Sequence, residues 1–143
     1  VYHGRRRQSD EPYVYYDNLT EMARDADWLV LIAPGGKETE KIVNRDVLEA
    51  LGPEGYLVNM ARGPLVDEPV LVEMLASGKL GGAALDVFEK EPQVPEALFA
   101  LDNVVLAPHQ GSATHQTRNK MGALVVANLD AHLAGDPLIS AVV

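Results

Sequence analysis

Arg62, Asp86, Glu91 and His109 are the residues of this chain whose types and spacing best suit chemistry. Arg62 comes shortly after the apolar run Tyr56-Leu57-Val58, and Asp86 directly after Ala83-Ala84-Leu85. Glu91 lies five residues past Asp86, and His109 follows Val104-Val105-Leu106. A guanidinium grips a planar carboxylate with two hydrogen bonds. An imidazole delivers a proton to a carbonyl oxygen as hydride reaches the carbon. A carboxylate beside that imidazole orients the ring and favours its protonated form. Such a set suits reduction of a 2-keto acid, with a nicotinamide as the hydride source. Taken singly, each residue has a plainer reading: a surface arginine, a turn carboxylate, a satisfied loop histidine.

What makes the set worth pursuing is the elements that would have to position it. Short apolar runs recur at Val14-Tyr15-Tyr16, Trp28 to Ile32, Tyr56 to Val58, Ala83 to Leu85 and Val104 to Leu106. Their length suits strands, and their uniform apolarity suits parallel strands covered on both faces. Helix signals lie between them. Asn18 with Glu21 reads as a capping box, and Asn44 as a cap for Val47, Leu48 and Leu51, with Gly52-Pro53 as the stop. Asp67 reads as the cap of a helix carrying Val70, Leu71, Met74 and Leu75, with Pro69 in its first turn and its end at Gly78. A longer helix starts between Ser112 and Thr114, carries Met121, Leu124, Val125, Leu129 and Leu133, and ends at Gly135. Strand-helix alternation predicts an open, doubly wound parallel sheet of the Rossmann type, whose ligands bind beyond the carboxyl ends of the strands. One edge of that sheet would carry Arg62, Glu91 and His109, with Glu91 within hydrogen-bond reach of His109.

The opening Val1-Tyr2 reads as the tail of a strand, and no Gly-x-Gly-x-x-Gly turn occurs in the sequence. In the strand order 3-2-1-4-5-6 the first strand is central. The expectation is therefore a dinucleotide-binding fold lacking its first strand and phosphate loop in this chain. Val1-Tyr2 and Trp28 to Ile32 would then flank an empty slot, and residues 1–143 would not stand alone. Residues 1–111 form most of the nucleotide-binding domain in this reading. Residues 112–143 form a long helix and a tail returning toward an absent substrate domain.

Composition narrows the function classes. The chain has 143 residues, no cysteine and a formal net charge of -9. The charge argues against a nucleic-acid partner, and no apolar stretch approaches a membrane span. No leader opens the sequence, and the absence of cysteine fits a reducing, cytoplasmic setting. His109 and His115 are six apart, not the spacing of a helical metal pair, so no metal site is indicated. His3, His115 and His132 read as loop, first-turn and helix-surface residues. Gly81 and Gly82 read as close-packing positions.

Three segments, Val58 to Glu68, Gly82 to Pro92 and Asn103 to Thr114, resemble in order and spacing the signature regions of the D-isomer-specific 2-hydroxyacid dehydrogenases. The likeness runs the length of the chain. Pro34-Gly35-Gly36, Leu51-Gly52-Pro53 and Val66-Asp67-Glu68-Pro69 resemble the glyoxylate/hydroxypyruvate and hydroxyphenylpyruvate reductase branch. The resemblance implies that Arg62 binds the substrate carboxylate and carbonyl, that His109 is the acid/base, and that Glu91 is its partner. It implies that Asp86 contacts the carboxamide side of the nicotinamide and that Pro34 and Thr39 line the adenosine side. Ala61 and Gly111 are the remaining expected cofactor contacts. It also implies a two-domain protein, a homodimer when intact, acting on a small 2-keto or 2-hydroxy acid. Dinucleotide folds that prefer NAD(H) usually carry an acid at the end of the second strand, where this sequence reads Tyr2-His3-Gly4-Arg5-Arg6-Arg7. Arg5 and Arg6 would attract a 2′-phosphate, so the expected cofactor is NADP(H), with NAD(H) as the alternative. Two competing readings remain: a dinucleotide-gated binding protein resembling this family's corepressors, and an inactive fragment.

Overall fold

The computed structural model describes residues 1–142. The chain divides into two compact units, Val1–His109 and Gln110–Val143.

The first unit is built on four parallel strands in the order β1-β2-β3-β4. They are β1 (Trp28–Leu31), β2 (Tyr56–Asn59), β3 (Gly82–Leu85) and β4 (Val104–Leu106). The connections carry α1 (Leu19–Arg24) before β1, α2 (Arg45–Leu51) before β2 and α3 (Glu68–Ala76) before β3. Each crossover moves one strand further in the same direction, and right-handed crossovers of that kind put their helices on one face. Met22, Val47, Leu48, Leu71 and Met74 from the helices accordingly join Leu29, Leu31, Leu57 and Leu85 from the strands in one buried cluster.

Burial therefore differs from the expectation of strands covered on both faces. β1 alternates exposed and buried, and Leu29 and Leu57 share a register row that points into the core. Trp28, Val30 and Val105 turn outward and are exposed, and Trp28 stacks on Tyr56 with ring centroids 4.6 Å apart. An apolar run alone does not say which of its faces has a partner. The Val14-Tyr15-Tyr16 run forms only a single parallel bridge, Tyr15 with Tyr2, rather than a full strand. Among the described residues β1 pairs with β2 alone, so its other edge carries no strand partner.

The caps divide. Asn18 accepts from the Thr20 and Glu21 N–H groups, the N-cap half of the predicted capping box, and Asn44 from that of Val47, as the sequence predicts. Asp67 occupies the cap position of α3 but its side chain makes no capping bond. Its carboxylate instead faces Lys41 Nζ at 3.4 Å, because an ion pair is open to it there. In the second unit, α4 (His115–Ala134) is capped by the Thr114 hydroxyl and closed by Gly135 in the left-handed conformation.

Candidate active site

β2 ends in Asn59, a polar side chain that is only 1% exposed. Its amide folds the next residues back on themselves. Asn59 Oδ1 accepts from the Ala61 N–H at 3.1 Å, and Nδ2 donates to the Arg62 carbonyl at 3.1 Å. The Arg62 guanidinium donates to the Ala61 carbonyl at 2.6 Å while the residue stays exposed. Arg62 is thus held at its backbone and left accessible at its head.

The following 3-10 turn, Gly63–Leu65, brings this segment against the next strand's loop. A Cβ on Gly63 would overlap the Phe88 carbonyl and the Glu89 nitrogen, so only glycine permits the approach. Glu68, at the start of α3, accepts from the Glu89 N–H at 3.0 Å through Oε2. Beyond β3, the Asp86 N–H donates to the Asn59 carbonyl at 3.0 Å, which prolongs the β2–β3 ladder to the site. The loop then turns so that Glu91 Oε1 accepts from the Phe88 N–H at 3.1 Å.

The other Glu91 oxygen meets His109. His109 Nδ1 donates to Glu91 Oε2 at 2.7 Å, with the side chains 49% and 35% exposed. His109 adopts the left-handed backbone, φ 52°, which few non-glycine residues enter and which recurs at functional sites. Because Nδ1 is engaged by an acceptor, Nε2 is the nitrogen presented outward. The Glu91 carboxyl is held below its ordinary value. The His109 hydrogen bond is the main cause; burial opposes it, and the Phe88 N–H and the charges of His109 and Arg62 add to it.

Not every candidate converges. Pro34 and Ala61 line a cleft of ≈ 720 Å³ beyond the ends of β1 and β2, together with Gly35, Gly36 and Arg62. Thr39 does not line it; its hydroxyl donates to the Pro34 carbonyl at 2.9 Å and braces the turn. Arg5 and Arg6 line a separate recess of ≈ 540 Å³ with Tyr2, His3, Gly4 and Gln8. Gly111 belongs to the second unit. Sequence reasoning missed Asn59, Gly63 and Glu68. Asn59 left a signal, a polar residue at the inward position of a buried strand end; Glu68 left none, since its partner is far along the chain.

The walls of the larger cleft suit a dinucleotide. Strand-end residues and the side-chain-free backbone of Gly35 and Gly36 line it, and Arg62 adds a cation. A Cβ on Gly35 would come within 3.0 Å of Arg62 Cγ, so glycine there keeps the guanidinium stem in place.

A parallel sheet with polar groups gathered at its carboxyl edge defines a Rossmann-type dinucleotide-binding domain. Residues 1–111 match the NAD-binding domain of the D-isomer specific 2-hydroxyacid dehydrogenases, and the chain belongs to that family. It is 54% identical over 142 residues to hydroxyphenylpyruvate reductase of Plectranthus scutellarioides, covering 99% of this chain and 45% of the relative. It is 51% identical to a glyoxylate/hydroxypyruvate reductase of Arabidopsis thaliana, with the same coverage of 99% and 45%. Among solved structures, the NADPH-dependent glyoxylate/hydroxypyruvate reductase of Sinorhizobium meliloti, in complex with NADP and malonate, superposes with a TM-score of 0.95 at 47% identity. That match covers 98% of this chain and 44% of the other. The chain thus spans about half the length of the relatives it matches.

Proposed function

We propose that the protein is a reductase of small 2-keto acids, such as glyoxylate, hydroxypyruvate or hydroxyphenylpyruvate, giving D-2-hydroxy acids with NADP(H) as preferred cofactor. The observation that carries the reading is the His109–Glu91 pair at 2.7 Å, with Glu91 on the loop against which the turn after Arg62 packs through Gly63. Similarity to reductases of these acids supports the substrate class.

In this reading Arg62 grips the substrate carboxylate and polarises the neighbouring carbonyl. His109, protonated on both nitrogens, delivers the Nε2 proton to the carbonyl oxygen and keeps the Nδ1 proton toward Glu91. Glu91 fixes the ring's orientation and offsets the imidazolium charge before transfer. A bound nicotinamide dinucleotide supplies the hydride. Pro34, Gly35, Gly36 and Ala61 would hold it along the cleft, and Arg5 and Arg6 would meet the 2′-phosphate that distinguishes NADP(H).

Turnover of the full-length protein with each of the three keto acids and with NADPH or NADH tests the reading. Consumption of NADPH faster than NADH, yielding glycolate from glyoxylate and the D-hydroxy acid from the other two, is the expected result. Dinucleotide binding without turnover of any 2-keto acid would overturn it in favour of a sensing protein.

A further inference from the structure

The arginine loop is tied down by two tyrosine hydroxyls. Tyr2 and Tyr15 are backbone partners: the Tyr2 N–H donates to the Val14 carbonyl and the Tyr16 N–H to the Tyr2 carbonyl, both at 2.9 Å. From that anchor the Tyr2 ring reaches across the loop. Its hydroxyl accepts from the Gln8 N–H at 2.8 Å and donates to the Gln8 carbonyl at 3.3 Å. One oxygen thus engages both backbone polar groups of Gln8 and closes the loop on itself. The Tyr15 hydroxyl donates to the Gly4 carbonyl at 2.9 Å, at the loop's other end. The two rings touch, with centroids 5.2 Å apart and planes at 50°.

Between those fixed ends stand Arg5, Arg6 and Arg7, all exposed. Among the described residues no ion pair engages them, and the nearest acid in sequence, Asp10, accepts from the Ser9 hydroxyl. Adjacent guanidiniums repel one another and would spread a loose loop. A glycine at its start adds freedom to lose on ligand binding. Hydroxyls that fix the loop beforehand remove part of that loss, and the gain falls only on ligands that use the arginines.

We propose that Tyr2 and Tyr15 are positioning residues for recognition of a 2′-phosphorylated adenosine, through their hydroxyls and not their rings. This rests on the reading that Arg5 and Arg6 meet the 2′-phosphate.

The test is calorimetric binding of adenosine 2′,5′-bisphosphate and of adenosine 5′-monophosphate to full-length protein. The variants are Tyr2→Phe, Tyr15→Phe, the two combined, and Arg5→Ala with Arg6→Ala. Phenylalanine keeps the ring contact and removes only the hydroxyl. Tyr15→Phe should weaken the bisphosphate about threefold to tenfold, the range of one lost hydrogen bond, Tyr2→Phe, which loses two, at least as much, and the double variant more. Binding of the monophosphate should change less than about twofold. An unchanged ratio of the two affinities, or an equal loss for both nucleotides, overturns the proposal. The arginine variant separates the two layers. If it leaves the ratio unchanged, the 2′-phosphate reading itself fails and takes this proposal with it. If it collapses the ratio while the tyrosine variants do not, only the role of the hydroxyls fails.

Discussion

His109 gives its Nδ1 proton to Glu91 at 2.7 Å from a left-handed backbone, so ring and main chain are both committed to one orientation. The consequence is a histidine that points Nε2 outward without needing a ligand to turn it. Asn tolerates the same backbone region but carries no titrating proton. His109→Asn in the full-length protein should therefore fold and still bind dinucleotide, while kcat for keto-acid reduction falls by about 10²–10⁴. Steady-state rates beside dinucleotide titrations check this, and a kcat within tenfold of the parent would remove His109 from the acid/base role.

Glu91 makes a pH-dependent contribution whose sign is fixed. Its folded carboxyl lies below the ordinary value of 4.5, chiefly through the His109 hydrogen bond. A carboxyl that binds its proton less tightly when folded stabilises the fold fully above its unfolded value. That contribution is lost as pH falls through the lower folded value. Glu91→Gln should thus be less stable than the parent near neutral pH, by on the order of 1 kcal/mol or less for so exposed a pair. The gap should close below about pH 4.5, the unfolded value. Denaturant melts at several pH values measure it, and a gap that stays constant into the acid range would refute the account.

Arg62 should not be replaceable by lysine. Its backbone carbonyl is held by Asn59 and its guanidinium donates to the Ala61 carbonyl, which leaves the head fixed and exposed. A lysine keeps the charge and loses the two-pronged grip. Arg62→Lys should lower kcat/KM for the keto acid on the order of 10²-fold, and dinucleotide affinity should move little. A loss below threefold would count against carboxylate binding by Arg62.

How far the sequence reaches into this site depends on where each partner lies. Asn18 and Asn44 bond to N–H groups a few residues away, so local pattern reveals them. Arg62, Asp86 and His109 are readable because each follows a strand, and a parallel sheet collects strand ends along one edge. The Glu91–His109 approach is less direct, since it needs the turn at Phe88 that the Glu91 carboxylate itself closes. Gly63 and Glu68 were invisible because they act on Phe88 and Glu89, and nothing in the intervening chain encodes that contact. Asp67 misled for the opposite reason. Its local pattern is that of a cap, and Lys41 engages its carboxylate.

Gly63 makes a steric prediction. Any Cβ there overlaps the Phe88 carbonyl, and main chain cannot swing aside as a flexible side chain can. Gly63→Ala should force the Arg62 turn away from the loop carrying Glu91. A stability loss on the order of 3 kcal/mol is expected, together with a fall in kcat. Melting and turnover of the full-length protein report the two effects, and an alanine variant equal to the parent in both would mean the two loops are not in contact.

Asn59 makes the sharpest test of how the site is supported. Its buried amide serves two backbone groups at once, accepting from Ala61 N–H and donating to the Arg62 carbonyl. Leucine has the same branching and number of side-chain heavy atoms, though it is bulkier, and can serve neither. In Asn59→Leu those two groups must find water or stay unpaired, at about 1–3 kcal/mol for each that stays buried. In Asn59→Asp the N–H keeps its acceptor, but a carboxylate oxygen is set against the Arg62 carbonyl oxygen. Both variants should therefore raise KM for the keto acid through a loosened Arg62 turn. Leucine should cost more stability than it would as a simple apolar swap in a buried strand. Glu91 and His109 lie on other segments, so the pH dependence of kcat should stay that of the parent. If Asn59→Leu leaves KM unchanged while lowering stability, Asn59 serves the fold and does not position the arginine.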